Sequence, residues 1–249
     1  MQANNPYKYL NDPNPEIRER TIISIVSALH ADPFSAKTYR ALRKLRKMMC
    51  PAAQTIVEKY TTQYESPPLD LPLNTKEIFE AYAFNTIVST YLTEYKHIVE
   101  CCAGNGLAGL LFADKGKKVT HIDIKKNNQY DHVRSALNKN NLIDSTYIQQ
   151  SIYNFIPQGD AYISIHACGE LTDKIIEHAI AMRKPFAVVP CCHSSSMHLS
   201  EDILKHFLHK DEAIDALRIY YAQSREYTMI VKSMPTYITK KNKILIGII

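Results

Sequence analysis

A glycine-rich segment after an apolar run is the part of this sequence whose residue types and spacing best suit chemistry. Gly104, Gly106 and Gly109 follow the run, and such a turn lets backbone N–H groups approach a ligand closely. Asp123 comes 17 residues after Gly106, at the end of the next apolar run. A carboxylate there can accept hydrogen bonds from both ribose hydroxyls of a nucleoside. The pattern predicts a nucleoside site built on strand, glycine turn, helix and strand.

The charge beside the glycines indicates which nucleoside binds. Their spacing also suits a dinucleotide, whose pyrophosphate would lie on the helix N-terminus. Glu100, four residues before Gly104, would repel a pyrophosphate but attract an ammonium or sulfonium group. S-adenosylmethionine (SAM) carries both cations, so we predict SAM as the cofactor.

The segment 100–106 resembles motif I of class I SAM-dependent methyltransferases, acid-x-Gly-x-Gly-x-Gly, with Cys102 in place of the first glycine. Many of these enzymes place an adenine-binding acid after the third strand, where this chain has Gln150 and Ser151. An amide or hydroxyl can still hydrogen-bond the adenine amino group. The resemblance implies that the cofactor contacts are Glu100, Cys102, Ala103, Gly104, Gly106, Leu107, Asp123, Ile124, Gln150, Ser151 and His166.

Two further motifs lie at the ends of the predicted fourth and fifth strands. The first is His-Ala-Cys-Gly at 166–169, and the second is Pro-Cys-Cys-His at 190–193. Neighbouring parallel strands present their carboxyl ends at one edge of a sheet, where ligands bind. We therefore expect both motifs beside the cofactor. The candidate catalytic residues are His166, Cys168, Cys191, Cys192 and His193.

Together these motifs resemble a methyltransferase family with His-x-Cys-Gly after strand four and Cys-Cys-His after strand five. It includes tRNA acceptor-stem 2′-O-methyltransferases and methyltransferase-like proteins, some with a glutathione-transferase C-terminal-like region. The segment 215–242 is similar to bacterial members of the second group. The resemblance covers residues 95–249 and implies methyl transfer to RNA, with tRNA first, at an oxygen or nitrogen. The zinc modules of the eukaryotic tRNA enzymes are absent from this sequence.

Each catalytic candidate has an alternative role. A histidine with a pKa near neutrality can act as a general base, or it can simply hydrogen-bond a loop. The cysteines could form a nucleophilic thiolate, as in enzymes that methylate C5 of pyrimidines in RNA, bind zinc, or pack beneath the cofactor. The sequence has no Cys-x-x-Cys pair, and adjacent cysteines on a strand point to opposite faces. We therefore expect no metal site.

The elements that must position these residues alternate along the chain. Short apolar runs and helical patterns predict an α/β fold, a Rossmann-like seven-stranded class I methyltransferase sheet. The predicted strands are 97–102, 118–123, 145–150, 161–166, 186–191, 227–234 and 243–249. The predicted helices are about 106–115, 127–139, 171–183 and 200–216. A further helix begins at Asn74, with Glu77 as its capping partner, and ends near Tyr91.

The first part of the chain predicts a helical extension, residues 1–74, before a methyltransferase domain at 75–249. Asn14-Pro15 and Asp32-Pro33 are typical helix starts. Further elements are a short helix at about 52–64 and a proline-rich linker at 66–72.

The second helix of the extension carries a row of positive charges that we call the basic stripe. Its members share one helical face and are Arg40, Arg43, Lys44 and Lys47. The stripe predicts either phosphate contacts to RNA or an ordinary solvated face.

Composition leaves several functions open. A net charge of +5 and an isoelectric point near 8.7 allow a nucleic-acid partner without requiring one. No apolar run approaches the roughly 18 residues of a membrane span, and the first ten residues show no signal region, so we expect a cytoplasmic protein.

The acceptor of the methyl group could be a protein or a small molecule instead of RNA. Cys102 and the missing acid also allow a non-catalytic interaction module with this fold.

Overall fold

A computed structural model describes residues 6–31, 35–48, 50–56, 71–138, 142–193, 201–206 and 209–249. The chain divides into two compact units, Met1–Phe79 and Glu80–Ile249. The domain boundary predicted after residue 74 stays a prediction. No helix in the described ranges is both long and apolar enough to span a bilayer.

The N-terminal unit is helical. It contains a 3-10 helix at Pro6–Asn11, α1 at Pro15–Ala31, α2 at Ala36–Lys47, a helical segment at 51–56 and the start of α3, which spans Thr75–Val88. The side-chain oxygens of Asn14, Ser35 and Asn74 accept backbone N–H groups at the starts of the three numbered helices. The predicted start at Asp32-Pro33, the end of the third predicted helix and most of the linker lie outside the described residues.

Helix α2 is amphipathic. Leu42 and Leu45 are buried, and Arg46 donates hydrogen bonds to the carbonyls of Leu71 and Leu73 at 2.9 and 2.6 Å. The exposed face carries the basic stripe, which is Arg40, Arg43, Lys44 and Lys47. Arg46 therefore holds the chain that leads into α3, whereas the stripe faces outward.

The second unit is built on one seven-stranded sheet. Its strands are β1 His97–Cys101, β2 Lys118–Asp123, β3 Ser145–Gln149, β4 Ala161–Ile165, β5 Phe186–Val189, β6 Thr228–Ser233 and β7 Lys243–Ile248. The order is β3-β2-β1-β4-β5-β7-β6, with β7 antiparallel to both neighbours. The predicted Rossmann-like seven-stranded sheet is confirmed.

The helices of this unit are α4 Leu107–Asp114, α5 Tyr130–Leu137, α6 Glu170–Ala181, α7 Glu201–Leu204 and α8 Lys210–Gln223. The single helix predicted at 200–216 is wrong, because α7 ends in a turn at 205–206 and α8 continues to Gln223. The buried face of α8 includes Ile214, Arg218 and Ala222, so packing extends this helix past the predicted end.

Strand direction positions the predicted motifs. β1 pairs in parallel with β2 and β4, and β4 pairs in parallel with β5. The glycine turn, Asp123 and the two cysteine motifs therefore all follow strands that end at the same edge of the sheet.

Candidate active site

The glycine turn connects β1 to α4 through residues in the left-handed region. Cys102, Gly104 and Gly106 have φ values of +54, +53 and +75°. A Cβ on Gly106 would lie 2.6 Å from the ring of Tyr130, so both backbone and packing require glycine there. A Cβ on Gly104 would meet nothing within 4 Å, which leaves open space on that side of the backbone.

Asp123 joins the glycine turn to the end of β2. Its Oδ2 accepts a hydrogen bond from the backbone N–H of Gly104 at 2.9 Å. A cavity of about 520 Å³ opens beside these two residues and is lined further by residues 125–129. Ile124 exposes 72% of its surface next to Asp123. The cavity therefore offers a carboxylate for ribose hydroxyls, and the apolar side chain of Ile124 is exposed next in sequence without lining it.

Glu100 lies beneath the turn and does not line this cavity. Register places it opposite His121 on β2, and its Oε2 is 2.7 Å from Nδ1 of that histidine. Both side chains are buried, and a Cβ on Gly109 would lie 2.6 Å from the same carboxylate oxygen. Glu100 is therefore placed to brace β1, β2 and α4 around the turn.

Two tyrosines that sequence reasoning missed complete the support of the turn. The hydroxyl of Tyr147, on β3, donates to the carbonyl of Gly104 at 3.1 Å. Burial raises the pKa of this phenol, which keeps the donor protonated. The Tyr147 and Tyr130 rings lie 4.6 Å apart, and both contact the ring of His121. The only indication of this cluster in the sequence is that residues 121, 130 and 147 have aromatic rings. Their proximity follows from the fold and is not visible in the sequence.

The remaining predicted cofactor residues lie around the same turn. Ala103 and Leu107 are buried, so they offer backbone rather than side-chain contacts. Gln150 is exposed directly after β3, and its backbone N–H donates to the carbonyl of Asp123 at 2.8 Å. The half-buried Ser151 accepts a hydrogen bond from the N–H of Tyr153 in its own turn. These four residues stay predicted cofactor contacts.

Cys102 adopts a conformation that favours glycine. Burial, with the nearby negative charge of Asp123, raises the pKa of its thiol to about 12. The thiol is therefore neutral near pH 7, and its place in the turn depends on tolerating a positive φ.

We expect Cys102→Gly to fold normally and to retain S-adenosylhomocysteine binding, because glycine suits the turn. Cys102→Val should lower the free energy of unfolding by about 1–2 kcal/mol relative to Cys102→Gly, since a side chain is strained in the left-handed region. Denaturant unfolding of the two variants and of Cys102→Ala measures this order. Equal stability of the valine and glycine variants would contradict it.

His166 is held by an acid that sequence reasoning did not find. It follows β4 with a φ of +63°, and its Nε2 lies 3.0 Å from Oε1 of Glu80. Glu80 is buried on α3, whereas a quarter (26%) of the His166 side chain is exposed. With Nε2 bonded to a carboxylate, Nδ1 is the nitrogen left to accept a proton. This nitrogen is itself buried, and among the described residues it has no hydrogen-bond partner.

The three cysteines of the two motifs form one cluster. Sγ of Cys191 is 3.1 Å from that of Cys168 and 3.5 Å from that of Cys192. Adjacent cysteines were expected on opposite faces, but Cys191 and Cys192 follow the end of β5 at Val189 and are not within a strand. Burial raises the pKa of the Cys168 and Cys191 thiols, so as free thiols they are weak candidates for a nucleophilic thiolate.

His193 is turned away from this cluster. It is buried, and its Nε2 lies 2.8 Å from Oδ1 of Asp215 on α8. Arg218 bonds the same Asp215 oxygen at 3.2 Å and Asp173 at 2.5 Å. This buried network anchors the Cys-Cys-His loop to α6 and α8 and suits the structural role for His193.

Comparison with known proteins identifies the domain. Residues 75–198 match the model of a family described as a methyltransferase domain. The chain carries a methyltransferase domain. The predicted enzyme class and the predicted cofactor, SAM, are confirmed at the level of this domain, while membership of the His-x-Cys-Gly and Cys-Cys-His family stays a prediction.

Curated relatives of the methyltransferase domain are much longer proteins. A glutathione S-transferase C-terminal domain-containing protein of Xenopus laevis is 31% identical over 39% of this chain and 16% of its own length. A Drosophila melanogaster homologue is 26% identical over 53% of this chain and 23% of its own length. Among solved structures, magnesium protoporphyrin IX methyltransferase from Synechocystis, with bound S-adenosylhomocysteine, has a TM-score of 0.47 at 12% identity, covering 68% of this chain and 83% of that one.

Proposed function

We propose that this protein transfers a methyl group from SAM to RNA, with tRNA as the first candidate, at an oxygen or nitrogen atom, and that it does so in the cytoplasm. The observation that carries the RNA assignment is the exposed basic stripe on α2. Lysine and arginine side chains in a row suit contacts to successive phosphates.

The residues around the cavity fit SAM. Gly104 has open space on the side where a Cβ would lie, and the Asp123 carboxylate, which accepts a hydrogen bond from the N–H of Gly104, would also accept the ribose hydroxyls. Ile124 offers an apolar surface to adenine. Bound SAM supplies an electrophilic methyl group, so the chain's main contribution is to align an acceptor with it.

We infer that His166 accepts a proton from the acceptor, which requires the acceptor to reach Nδ1, a buried nitrogen. Its hydrogen bond to Glu80 fixes the ring and leaves Nδ1 as the basic nitrogen. An RNA hydroxyl or ring nitrogen loses a proton when it is methylated, and the imidazole would accept it. Glu80 would act as a positioning residue, since it touches His166 and not the acceptor.

Mass spectrometry of nucleosides from total tRNA and ribosomal RNA of a deletion strain tests the RNA assignment. We expect one methylated nucleoside to disappear and to return when the purified protein is incubated with SAM and RNA from that strain. An unchanged RNA profile with intact S-adenosylhomocysteine binding would favour a protein or small-molecule acceptor. Loss of a C5-methylated pyrimidine would instead support the thiolate mechanism, and a lack of cofactor binding would support the interaction module.

Reversing charges on the basic stripe should weaken RNA binding. For Arg43→Glu with Lys47→Glu we expect at least a tenfold loss of affinity and a shallower dependence on salt, because fewer counterions are released. Filter binding between 50 and 200 mM salt measures both effects.

The matched control for the stripe is Lys232→Glu with Lys240→Glu, which makes the same change of net charge at two exposed residues of the methyltransferase domain. This control should bind RNA better than the stripe variant. Equal losses in the two variants would mean that the stripe is a solvated face and that only overall charge matters.

A further inference from the structure

The three-thiol cluster at the ends of β4 and β5 is not used by the proposed methyl transfer. All three sulfur atoms of Cys168, Cys191 and Cys192 lie within 4.8 Å of one another. A tetrahedral zinc ion with Zn–S distances of about 2.3 Å requires sulfurs about 3.8 Å apart. The two shorter observed separations, 3.1 and 3.5 Å, need to lengthen only by tenths of an ångström to meet this value.

The backbone holds the two loops of the cluster side by side. The N–H of His166 donates to the carbonyl of Val189 at 2.9 Å, and the N–H of Gly169 donates to that of Cys192, also at 2.9 Å. Cys168 lies between the two bonded residues of one loop, and Cys191 lies between the two bonded residues of the other. The thiols are therefore brought together by the fold before any ion binds, which reduces the cost of ordering the ligands.

The hydrogen bonds that link the three thiols are weak, because a thiol is a poor donor and a poor acceptor. The carbonyl of His166 lies 3.6 Å from the sulfurs of both Cys168 and Cys191, so it can serve as an acceptor for those two thiols. Cys192 joins the group through a thiol contact, with its sulfur 3.5 Å from that of Cys191. Three soft sulfur ligands converging on one point are the donor set that selects zinc over magnesium or calcium.

We propose that Cys168, Cys191 and Cys192 bind a zinc ion as thiolates and leave its fourth coordination position open. Zinc displaces the thiol protons, which pass to solvent. His193 is not the fourth ligand in this arrangement, because neither of its ring nitrogens lies within 4.8 Å of all three sulfurs. Among the described residues no other cysteine, histidine or carboxylate belongs to the cluster. With three protein ligands, the proposed fourth position would take water or an incoming group, as in catalytic zinc sites.

Accessibility supports an open site. Cys168 and Cys192 are exposed and Cys191 is half-buried, so solvent reaches the cluster. Cys168 is also an electrostatic neighbour of Cys102 on the glycine turn. The ion would therefore lie at the carboxyl edge of the sheet, on the two loops that follow β4 and β5. The zinc site is separate from the proposed methyl transfer and does not depend on which acceptor is methylated.

Metal analysis of the full chain, purified with a thiol reductant, tests the proposal. We expect about one zinc ion per chain in the wild type, and at least a tenfold weaker affinity in Cys168→Ser and in Cys192→Ser. Cys50→Ser is the matched control, because Cys50 lies outside the cluster. Circular dichroism checks that each variant is folded.

A second measurement uses only the wild type, so it holds even where a serine variant fails to fold. Cobalt substitution should give the thiolate-to-metal absorption of a tetrahedral site, and X-ray absorption should count three sulfur ligands at about 2.3 Å from zinc. Reduced wild type that retains no zinc and shows no such cobalt spectrum would overturn the proposal. So would a Cys168–Cys191 disulfide in place of a metal, an iron–sulfur chromophore, or equal zinc loss in Cys50→Ser.

Discussion

Asp123→Ala is expected to weaken S-adenosylhomocysteine binding by about a hundredfold or more. The carboxylate holds the N–H of Gly104 and is placed to accept two ribose hydroxyls, and each hydrogen bond to a charged group contributes about 1.5–3 kcal/mol. Alanine removes all of these acceptors and releases the glycine turn. Calorimetric titration of the purified chain with S-adenosylhomocysteine measures the loss.

Two further variants separate the contributions of Asp123. Asp123→Asn keeps an oxygen that can accept from Gly104 but loses the charge, so its affinity should lie between those of wild type and Asp123→Ala. Asp144→Ala removes an exposed carboxylate close to β3 and should bind the ligand like wild type. Wild-type affinity in Asp123→Ala would show that the cofactor does not bind at this cavity.

His166→Asn is expected to lower the rate of methyl transfer by about 10²- to 10⁴-fold, the usual contribution of a general base. Asparagine suits this test because it tolerates the positive φ at residue 166 while lacking a basic nitrogen. Methyl incorporation from radiolabelled SAM into RNA of the deletion strain, under single-turnover conditions, measures the rate. S-adenosylhomocysteine affinity should stay unchanged, whereas a joint loss of rate and affinity would assign His166 to cofactor binding.

The same methyl-transfer assay tests the role of Glu80. Glu80→Ala should lower the turnover number and leave KM for RNA unchanged, and Glu80→Gln should restore part of the rate, because an amide oxygen can still accept a hydrogen bond from Nε2. His132→Ala, an exposed histidine on α5, serves as the control and should react like wild type. A rate in Glu80→Ala equal to that of wild type would remove Glu80 from the mechanism.

The parts of the site that were predictable from the sequence are those encoded by neighbouring residues. Gly104 and Gly106 predict a turn, because few other residues adopt a positive φ without strain. Short apolar runs between helical patterns predict a parallel sheet. The position of Asp123 at the end of β2 follows from that order of elements. The predicted bounds of the helix at 200–216 are wrong, because the packing of α8 and not the local sequence pattern sets where this helix ends.

Contacts between distant segments were decided only by the tertiary structure. Strand register sets Glu100 against His121 and removes it from the cavity, and the placement of α3 brings Glu80 to His166 across 86 residues of sequence. The thiols of Cys168 and Cys191 meet because two loops that follow adjacent strands are tied by backbone hydrogen bonds.

The sequence by itself therefore determined the fold class, the glycine turn and the acid that follows β2, because each depends on local backbone preference and hydrophobic period. The tertiary structure decided which of the chemically capable side chains face the cavity, which support it from below and which form the thiol cluster. Those outcomes depend on register and on packing between elements far apart in the chain, and single-residue patterns do not carry that information.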